Sequence, residues 1–322
     1  MRAKRLGRTE LQLPVVGVGT AWIGVPTQND TVFDTDDGRR RLDEELGVRT
    51  LVAAIDAGCT FFDTAVLYNR GLSEAMIGEA LRQRPSAKEK ITVTTKAGRW
   101  YDRYDFSYDA ILRSVDESLE RMGLSRLEIV YIHDAMGQPM AEVLSDRGAL
   151  GALRHLQDQG IINYIGTAAN NPPTNLEYIK TGEFDAAVIA DSWSLINQIA
   201  EREIFAEAAK HDVGLVGATP LERGLLVTGP QENTKYLNRV FGQDCLDHVS
   251  KIQQLCGRYD VPMIAVALQW CTRYPQVASV IPGARLPEEA ESSLAAAQVD
   301  IPAELWQELT PLLKHFDTSV DV

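Results

Sequence analysis

Short apolar runs rich in β-branched residues recur along the chain. Each is followed by a stretch whose apolar positions have helical spacing. The runs are "VVGVGTA" from Val15, "TFFDTA" from Thr60, "ITVTTKAG" from Ile91 and "LEIVYIHDA" from Leu127. They continue with "INYIGTAAN" from Ile162, "AAVIADSW" from Ala186, "VGLVGATP" from Val213 and "ASVIPGA" from Ala278. They lack the polar alternation of a sheet with one wet face, so both faces are expected to be buried, as parallel sheets require. Most are spaced by about 25–35 residues, the length of a strand-helix-strand unit. Among the helical stretches, "SYDAILRSVDESLERMG" places Ile111, Val115, Leu119 and Met122 on one face, and Gly123 stops it. "EREIFAEAAKHD" and "DHVSKIQQLCGRYD" carry the same spacing, and another helix is expected from about Ser73.

Eight such units predict an α/β fold, a (β/α)8 TIM barrel that spans residues 1–322 as a single domain. "KRLGRTELQLP" predicts a short hairpin that closes the barrel bottom. "GVPTQNDTVFDTDDGRRR", Gly24 to Arg41, reads as a long polar loop after the first strand. The competing architecture is a doubly wound dinucleotide fold, which needs G-x-G-x-x-G opening a helix directly after a strand. The nearest match has Gly17 and Gly19 but Trp22 at the third glycine position, and the polar loop stands where the helix belongs.

Composition narrows the function classes. The 322 residues are 45% hydrophobic and 24% charged, with a formal net charge of -13 and a pI near 4.9. A nucleic-acid partner needs a basic face to displace counterions, and this balance argues against one. A small anionic ligand in a local pocket stays open. No apolar run reaches the length of a signal peptide or of a membrane span, so no membrane partner and a cytoplasmic location are expected. Cys59, Cys245, Cys256 and Cys271 form no C-x-x-C pair and have no histidine three or four residues away. Packed free thiols, and no metal site, are the expectation. The oligomeric state is left open.

A barrel collects its chemistry where strands end. Asp63 ends the second strand, and Tyr68 follows in its loop; Lys96 ends the third and His133 the fourth. Singly these have plain explanations: a helix cap, a surface phenol, a snorkelling lysine, a core histidine. Together, on three consecutive strands, they form a proton-transfer set. A phenol titrates near ~10, too high for a shuttle at neutral pH. A neighbouring ammonium favours the phenolate, and an aspartate holds that ammonium in place. An imidazole can donate a hydrogen bond to a carbonyl oxygen while Tyr68 gives or takes a proton.

"FFDTAVLYNRGLSEAMIGEAL", "TTKAGRW", "RSVDESLERMGLSRLEIVYIHD" and "VIPGA" resemble the aldo-keto reductase superfamily over nearly the whole chain. "LYNRGLSE", "TKAGRWYD" and "ALRHLQDQGIINYIGTAANN" carry a narrower likeness to the bacterial aldose 1-dehydrogenase and pyridoxal dehydrogenase branch. The resemblance implies a small-molecule substrate, a nicotinamide cofactor extended across the strand ends, and Asp63, Tyr68, Lys96 and His133 as the catalytic tetrad with Tyr68 as acid/base. It places Gly19 and Thr20 beside the nicotinamide and Asn170 on its carboxamide, and wraps Thr219, Leu221, Arg223 and Gly224 around the pyrophosphate. Gly283, Arg285, Glu289 and Ser293 complete the cofactor set. Some superfamily members serve as regulatory subunits of potassium channels, a class that the complete tetrad disfavours.

The chain departs from the family pattern in places. Ala190 stands where many relatives have a glutamine, with Asp191 as one substitute, and Ala218 stands where many have a stacking tyrosine. Relatives that use NADP hold its phosphate with a Lys-Ser pair and an arginine; here those positions are Gly283, Ala284 and Glu289. A carboxylate repels a phosphate but accepts from a ribose hydroxyl, which favours NAD, with NADP possible through Arg285. Trp22 and Trp100 lie near the mouth as platforms for a ring-shaped substrate. Asp134 is a candidate for bonding a substrate hydroxyl. Trp193 suits the nicotinamide, the substrate pocket or the core.

Overall fold

The structure is a computed structural model that describes residues 2–26, 42–232 and 236–317. Two short strands open it: β1 (Ala3–Arg5) and β2 (Gln12–Pro14), paired antiparallel. Eight parallel strands follow, β3 (Val18–Gly19), β4 (Phe61–Asp63), β5 (Thr92–Ala97) and β6 (Leu127–His133), then β7 (Ile162–Ala169), β8 (Ala186–Ile189), β9 (Gly214–Ala218) and β10 (Val277–Ile281). Each pairs with its sequence neighbour, and the parallel bridges Val16–Val280 and Gly19–Gly283 join the first to the last. The order is that of a (β/α)8 barrel, as the repeating pattern predicts.

The alternation of side chains explains why the runs read as apolar throughout. Phe61, Ile129, Tyr131, Ala168, Ala186, Val188, Val216 and Ala278 fill the barrel interior together with Leu6 and Leu13 of the hairpin. Their neighbours Phe62, Val130, Ile132 and Ala187 face outwards into the layer beneath the helices. Both faces are therefore dry. The fit is close: a Cβ on Gly166 would come within 2.1 Å of the Tyr131 ring, so the large ring depends on a bare backbone opposite it.

The hairpin does close the bottom. Gly7 turns it at φ 49°, and a Cβ there would lie 2.2 Å from the Gly214 backbone nitrogen at the start of β9. Lys4 Nζ donates to the carbonyls of Thr272, Tyr274 and Val277 at 2.7–3.0 Å, which ties the hairpin to the approach to β10.

The expected helices form as Leu72–Gln83, Tyr108–Met122 and Gln243–Arg258. Gly123 ends the second at φ 63°. "EREIFAEAAKHD" is two helices, Ile199–Glu203 and Phe205–Lys210, divided at Ile204. The four cysteines are buried and carry free thiols. Of the expected polar loop Gly24 to Arg41, residues 27–41 lie outside the described residues.

Candidate active site

The C-terminal ends of β4, β5 and β6 bring Asp63, Lys96 and His133 together, and the loop after β4 folds Tyr68 over them. Asp63 and Lys96 are 1% and 2% exposed and form an ion pair. Thr94 Oγ1 donates to Asp63 Oδ2 at 2.9 Å, and Lys96 Nζ donates to the Thr64 carbonyl at 2.8 Å. Asp63 therefore caps no helix; it is a buried counter-ion. Lys96 Nζ lies 4.7 Å from the centre of the Tyr68 ring. The rings of Tyr68 and His133 meet edge to face, 5.9 Å between centres. Local geometry holds the phenol there. Asn69 and Arg70 take φ of 50° and 57°, and Asn69 Nδ2 donates to Ser73 Oγ at 3.0 Å. Ser73 in turn donates to the Thr20 carbonyl at 3.1 Å, which links this turn to the end of β3.

Electrostatics set the protonation states. Burial opposes the Lys96 charge, but Asp63 and Tyr68 outweigh it and hold the ammonium above its ordinary range. Burial keeps the His133 imidazole well below its usual value, and the Lys96 and Arg99 charges add to this, so the ring is neutral. Tyr68 departs from expectation. Burial raises its phenol above the ordinary tyrosine value; Lys96 opposes this, and Asp63 adds to the rise. The buried environment outweighs the ammonium because a phenolate loses more hydration than one neighbouring charge returns.

Two residues expected at the substrate take other places. Trp193 is 1% exposed, stacks on Trp270 with 4.5 Å between centres, and donates from its indole nitrogen to the Cys271 carbonyl at 3.0 Å. It is a core residue, because its apolar faces and its one donor are all satisfied there. Asp134 is 2% exposed at φ 48°. One of its oxygens pairs with Arg99, and the other accepts from the Asn170 backbone nitrogen at 3.1 Å. It ties three strand ends together rather than facing a ligand. Trp22 and Trp100 are half-buried. Arg103 lies over the Trp100 ring at 4.8 Å.

The proposed cofactor residues fall on the ends of β3, β7, β9 and β10. Thr20 is fully buried and donates to the Asp63 carbonyl at 3.1 Å, while the Asn170 side chain is exposed. Thr219 and Arg223 take φ of 62° and 56°, and Gly224 takes 102°, so a tight left-handed loop with Leu221 follows β9. Ala218 and Ala190 are half-buried. Asp191 accepts from Arg239 at 2.8 Å and from Arg223 at 3.4 Å, so two arginines hold its carboxylate. Glu289 pairs with the Arg285 guanidinium and accepts from the Arg285 backbone nitrogen at 2.8 Å. Ser293 is buried on the same helix, Pro287–Ala296.

Sequence reasoning missed Arg99, Arg239, Glu222 and Ser194. Arg239 joins Glu222 at 2.7 Å, and Ser194 donates to Glu222 at 2.5 Å. The position of Arg99, three residues beyond Lys96 at a strand end, was a usable signal. Arg239 gave none, since 48 residues separate it from Asp191.

The barrel and its ends define a (β/α)8 protein with a buried lysine–aspartate pair beneath a tyrosine and beside a neutral histidine. A model of the Aldo/keto reductase family matches residues 32–314, and the chain belongs to that family of oxidoreductases. It is 26% identical to pyridoxal 4-dehydrogenase of Microbacterium luteolum, over 95% of this chain and 96% of that one. It is 28% identical to D-threo-aldose 1-dehydrogenase of a Pseudomonas species, over 93% and 94% of the two chains. It is 27% identical to NADH-specific methylglyoxal reductase of Escherichia coli (strain K12), over 98% and 100%. Its fold is similar to that of the aldo-keto reductase AKR11C1 from Bacillus halodurans in its holo form, with a TM-score of 0.78, 24% identity and 99% of each chain covered. Among the described residues no helix is long and apolar enough to cross a membrane.

Proposed function

We propose that the protein is an NAD-dependent dehydrogenase that oxidises a sugar hemiacetal or a related hydroxyl compound, with Tyr68 as acid/base. One observation carries the reading: the Tyr68 ring lies 4.7 Å from a buried ammonium and meets a neutral imidazole edge to face. Two relatives named as dehydrogenases support the direction, and one named as NADH-specific supports the cofactor.

The residues at the ends of β3 and β10 fit a dinucleotide. A Cβ on Gly283 would meet nothing nearer than the Trp22 ring at 3.8 Å, so the backbone there is open to close approach. Arg285 Nη1 is buried and lacks a hydrogen-bond partner among the described residues, a donor suited to a polar ligand. Gly19, Thr20 and Asn170 would hold the nicotinamide end. Thr219, Leu221, Arg223 and Gly224 would hold the pyrophosphate, and Gly283, Arg285, Glu289 and Ser293 the adenosine. The Arg285–Glu289 pair supports NAD over NADP, because a 2′-phosphate would have to displace or face the carboxylate.

A bound nicotinamide supplies an acceptor for the hydride of the carbinol carbon. The chain's own work is proton transfer. His133 donates a hydrogen bond to the substrate oxygen and orients it. Tyr68, as phenolate, takes the hydroxyl proton. Lys96 stabilises that phenolate, and Asp63 keeps Lys96 charged and fixed. Half-buried Trp22 and Trp100 flank the mouth as platforms for the substrate ring.

The raised Tyr68 phenol favours a second reading. A tyrosine protonated at neutral pH is ready to donate, which suits reduction of an aldehyde or ketone with a reduced nicotinamide. The test is a panel of aldoses, pyridoxal, methylglyoxal and simple alcohols with each cofactor at several pH values, followed by the absorbance of the reduced nicotinamide. Oxidation with NAD that rises towards alkaline pH is expected. Activity confined to carbonyl reduction with NADPH would replace the first reading by the second.

A further inference from the structure

We propose that Arg99 is a positioning residue that keeps His133 uncharged by neutralising Asp134. His133 Nε2 lies 3.6 Å from Asp134 Oδ2, inside the range where a carboxylate draws a proton onto an imidazole. Both side chains are buried, at 6% and 3% exposed, so water screens little of that attraction. Left alone, that carboxylate would pull a proton towards the imidazole against the effect of burial and Lys96, and a charge on the ring would change the hydrogen-bond donor facing the substrate.

Arg99 removes that outcome. Its guanidinium pairs with the same Asp134 oxygen that faces His133, and its side chain is 22% exposed, so it keeps some contact with water. The stem position is fixed. Arg99 pairs with Tyr104 across a short antiparallel bridge, and its guanidinium lies over the Tyr104 ring at 5.4 Å. The other Asp134 oxygen is held by the Asn170 backbone nitrogen at 3.1 Å. The carboxylate thus has one arginine and one amide as partners, and the oxygen that faces the imidazole is the one that the guanidinium neutralises.

Other charged groups also face His133. Lys96 on β5 repels a proton from the ring, Asp63 on β4 is committed to Lys96, and Tyr68 presents an edge-to-face ring. Among these groups only Asp134 places a negative charge at contact distance from the ring, so its neutralisation by Arg99 works alongside burial and Lys96 in keeping the imidazole uncharged. Asp134 itself takes a left-handed backbone conformation, φ 48°, of the kind that persists only where the surroundings fix it.

This inference rests on reading His133 as the group that faces the substrate oxygen. Its test measures charge rather than turnover, so either can fail alone. The chain has five histidines, and NMR of ring-labelled protein, with His133→Asn to assign the signal, follows the titration of His133. In the parent it stays neutral well below pH 6.5, as the burial and the two cations require. In Arg99→Gln the midpoint rises by about 1–3 pH units. Arg99→Lys, which keeps the charge, holds it low, and Arg99→Gln combined with Asp134→Asn returns it to low pH. Should Arg99→Gln not fold, Arg99→Met keeps the stem against Tyr104 and gives the same comparison. A merely structural Arg99 would alter stability without moving the midpoint. An unmoved midpoint in the charge-removing variants overturns the proposal, and so does a raised midpoint that persists in the double variant.

Discussion

At the bottom of the barrel Leu6, Leu13, Phe61 and Ile129 close the interior with hydrocarbon. At the mouth, on the same strands, Asp63, Lys96, His133 and Asp134 are equally buried and all polar. Phe61 and Asp63 are two residues apart on β4 and point to the same side of the sheet, since side chains alternate with a period of two. One end gains stability from area removed from water. The other carries groups whose burial costs hydration and is offset only by their partners. Backbone strain leans the same way. Most of the residues other than glycine with positive φ follow the C-terminal ends of strands: Asn69, Arg70, Asp134, Asp191, Thr219, Glu222 and Arg223. Such conformations cost of order 1–3 kcal/mol each and persist where the surroundings fix them. The barrel bottom is built for stability, and the mouth holds the buried charges on which the proposed chemistry rests.

Substitutions can break the comparison at either end. The largest effect is expected at Lys96→Met, which leaves Asp63 buried without its counter-ion. It should cost about 3–5 kcal/mol of stability as well as activity, and the companion variant Asp63→Asn with Lys96→Met should recover most of the stability and none of the activity. Urea unfolding of the three proteins checks this; equal losses in both variants would deny that the pair is coupled. At the bottom, Phe61→Ala should cost about 3–5 kcal/mol, yet leave the turnover of the folded fraction near that of the parent. A large fall in turnover per folded molecule would show that the two ends are not independent.

His133 gives a smaller, pH-dependent effect. The folded state holds the ring neutral, while the unfolded chain binds a proton near ~6.5. Below that value the unfolded state binds more protons, so stability is fully present above about pH 6.5 and declines as pH falls towards the depressed folded value. The slope is up to about 1.4 kcal/mol per pH unit. His133→Asn should flatten this limb, and stability curves between pH 5 and 8 would reveal a limb that persists. Smallest is the response of the thiols. Burial pushes Cys59 and Cys245 up to about 12 and Cys256 to about 11, and Cys271 is raised too. Alkylation at pH 8 should modify none of the four in the folded protein and all of them in denaturant.

Much of both ends is legible in the sequence. The doubly buried runs announce a parallel barrel because each strand faces two apolar layers, as Ile129 and Val130 do. Asp63, Lys96 and His133 stand out because charge at the end of such a run has no structural reason to be there. Partnership across the chain is what the sequence hides. Trp193 follows a strand end just as a ligand platform would, yet the segment turns it against Trp270. Asp134 looks free to bind a hydroxyl because its partner Arg99 comes from a different strand. The direction of the Tyr68 shift is hidden too, since it depends on how deeply the phenol is buried relative to Lys96 and not on which residues are present.

The most direct test of the account is Tyr68→Phe. It removes only the hydroxyl from a half-buried ring, so the fold and the affinity for nicotinamide should be nearly unchanged. General acid-base catalysis contributes ~10²–10⁴-fold, and turnover with NAD and the best hydroxyl substrate should fall by that amount while the unfolding midpoint holds. A variant that keeps turnover within about threefold of the parent, far short of the expected loss, would contradict the claim that the mouth of this barrel is a proton-transfer site built on Tyr68.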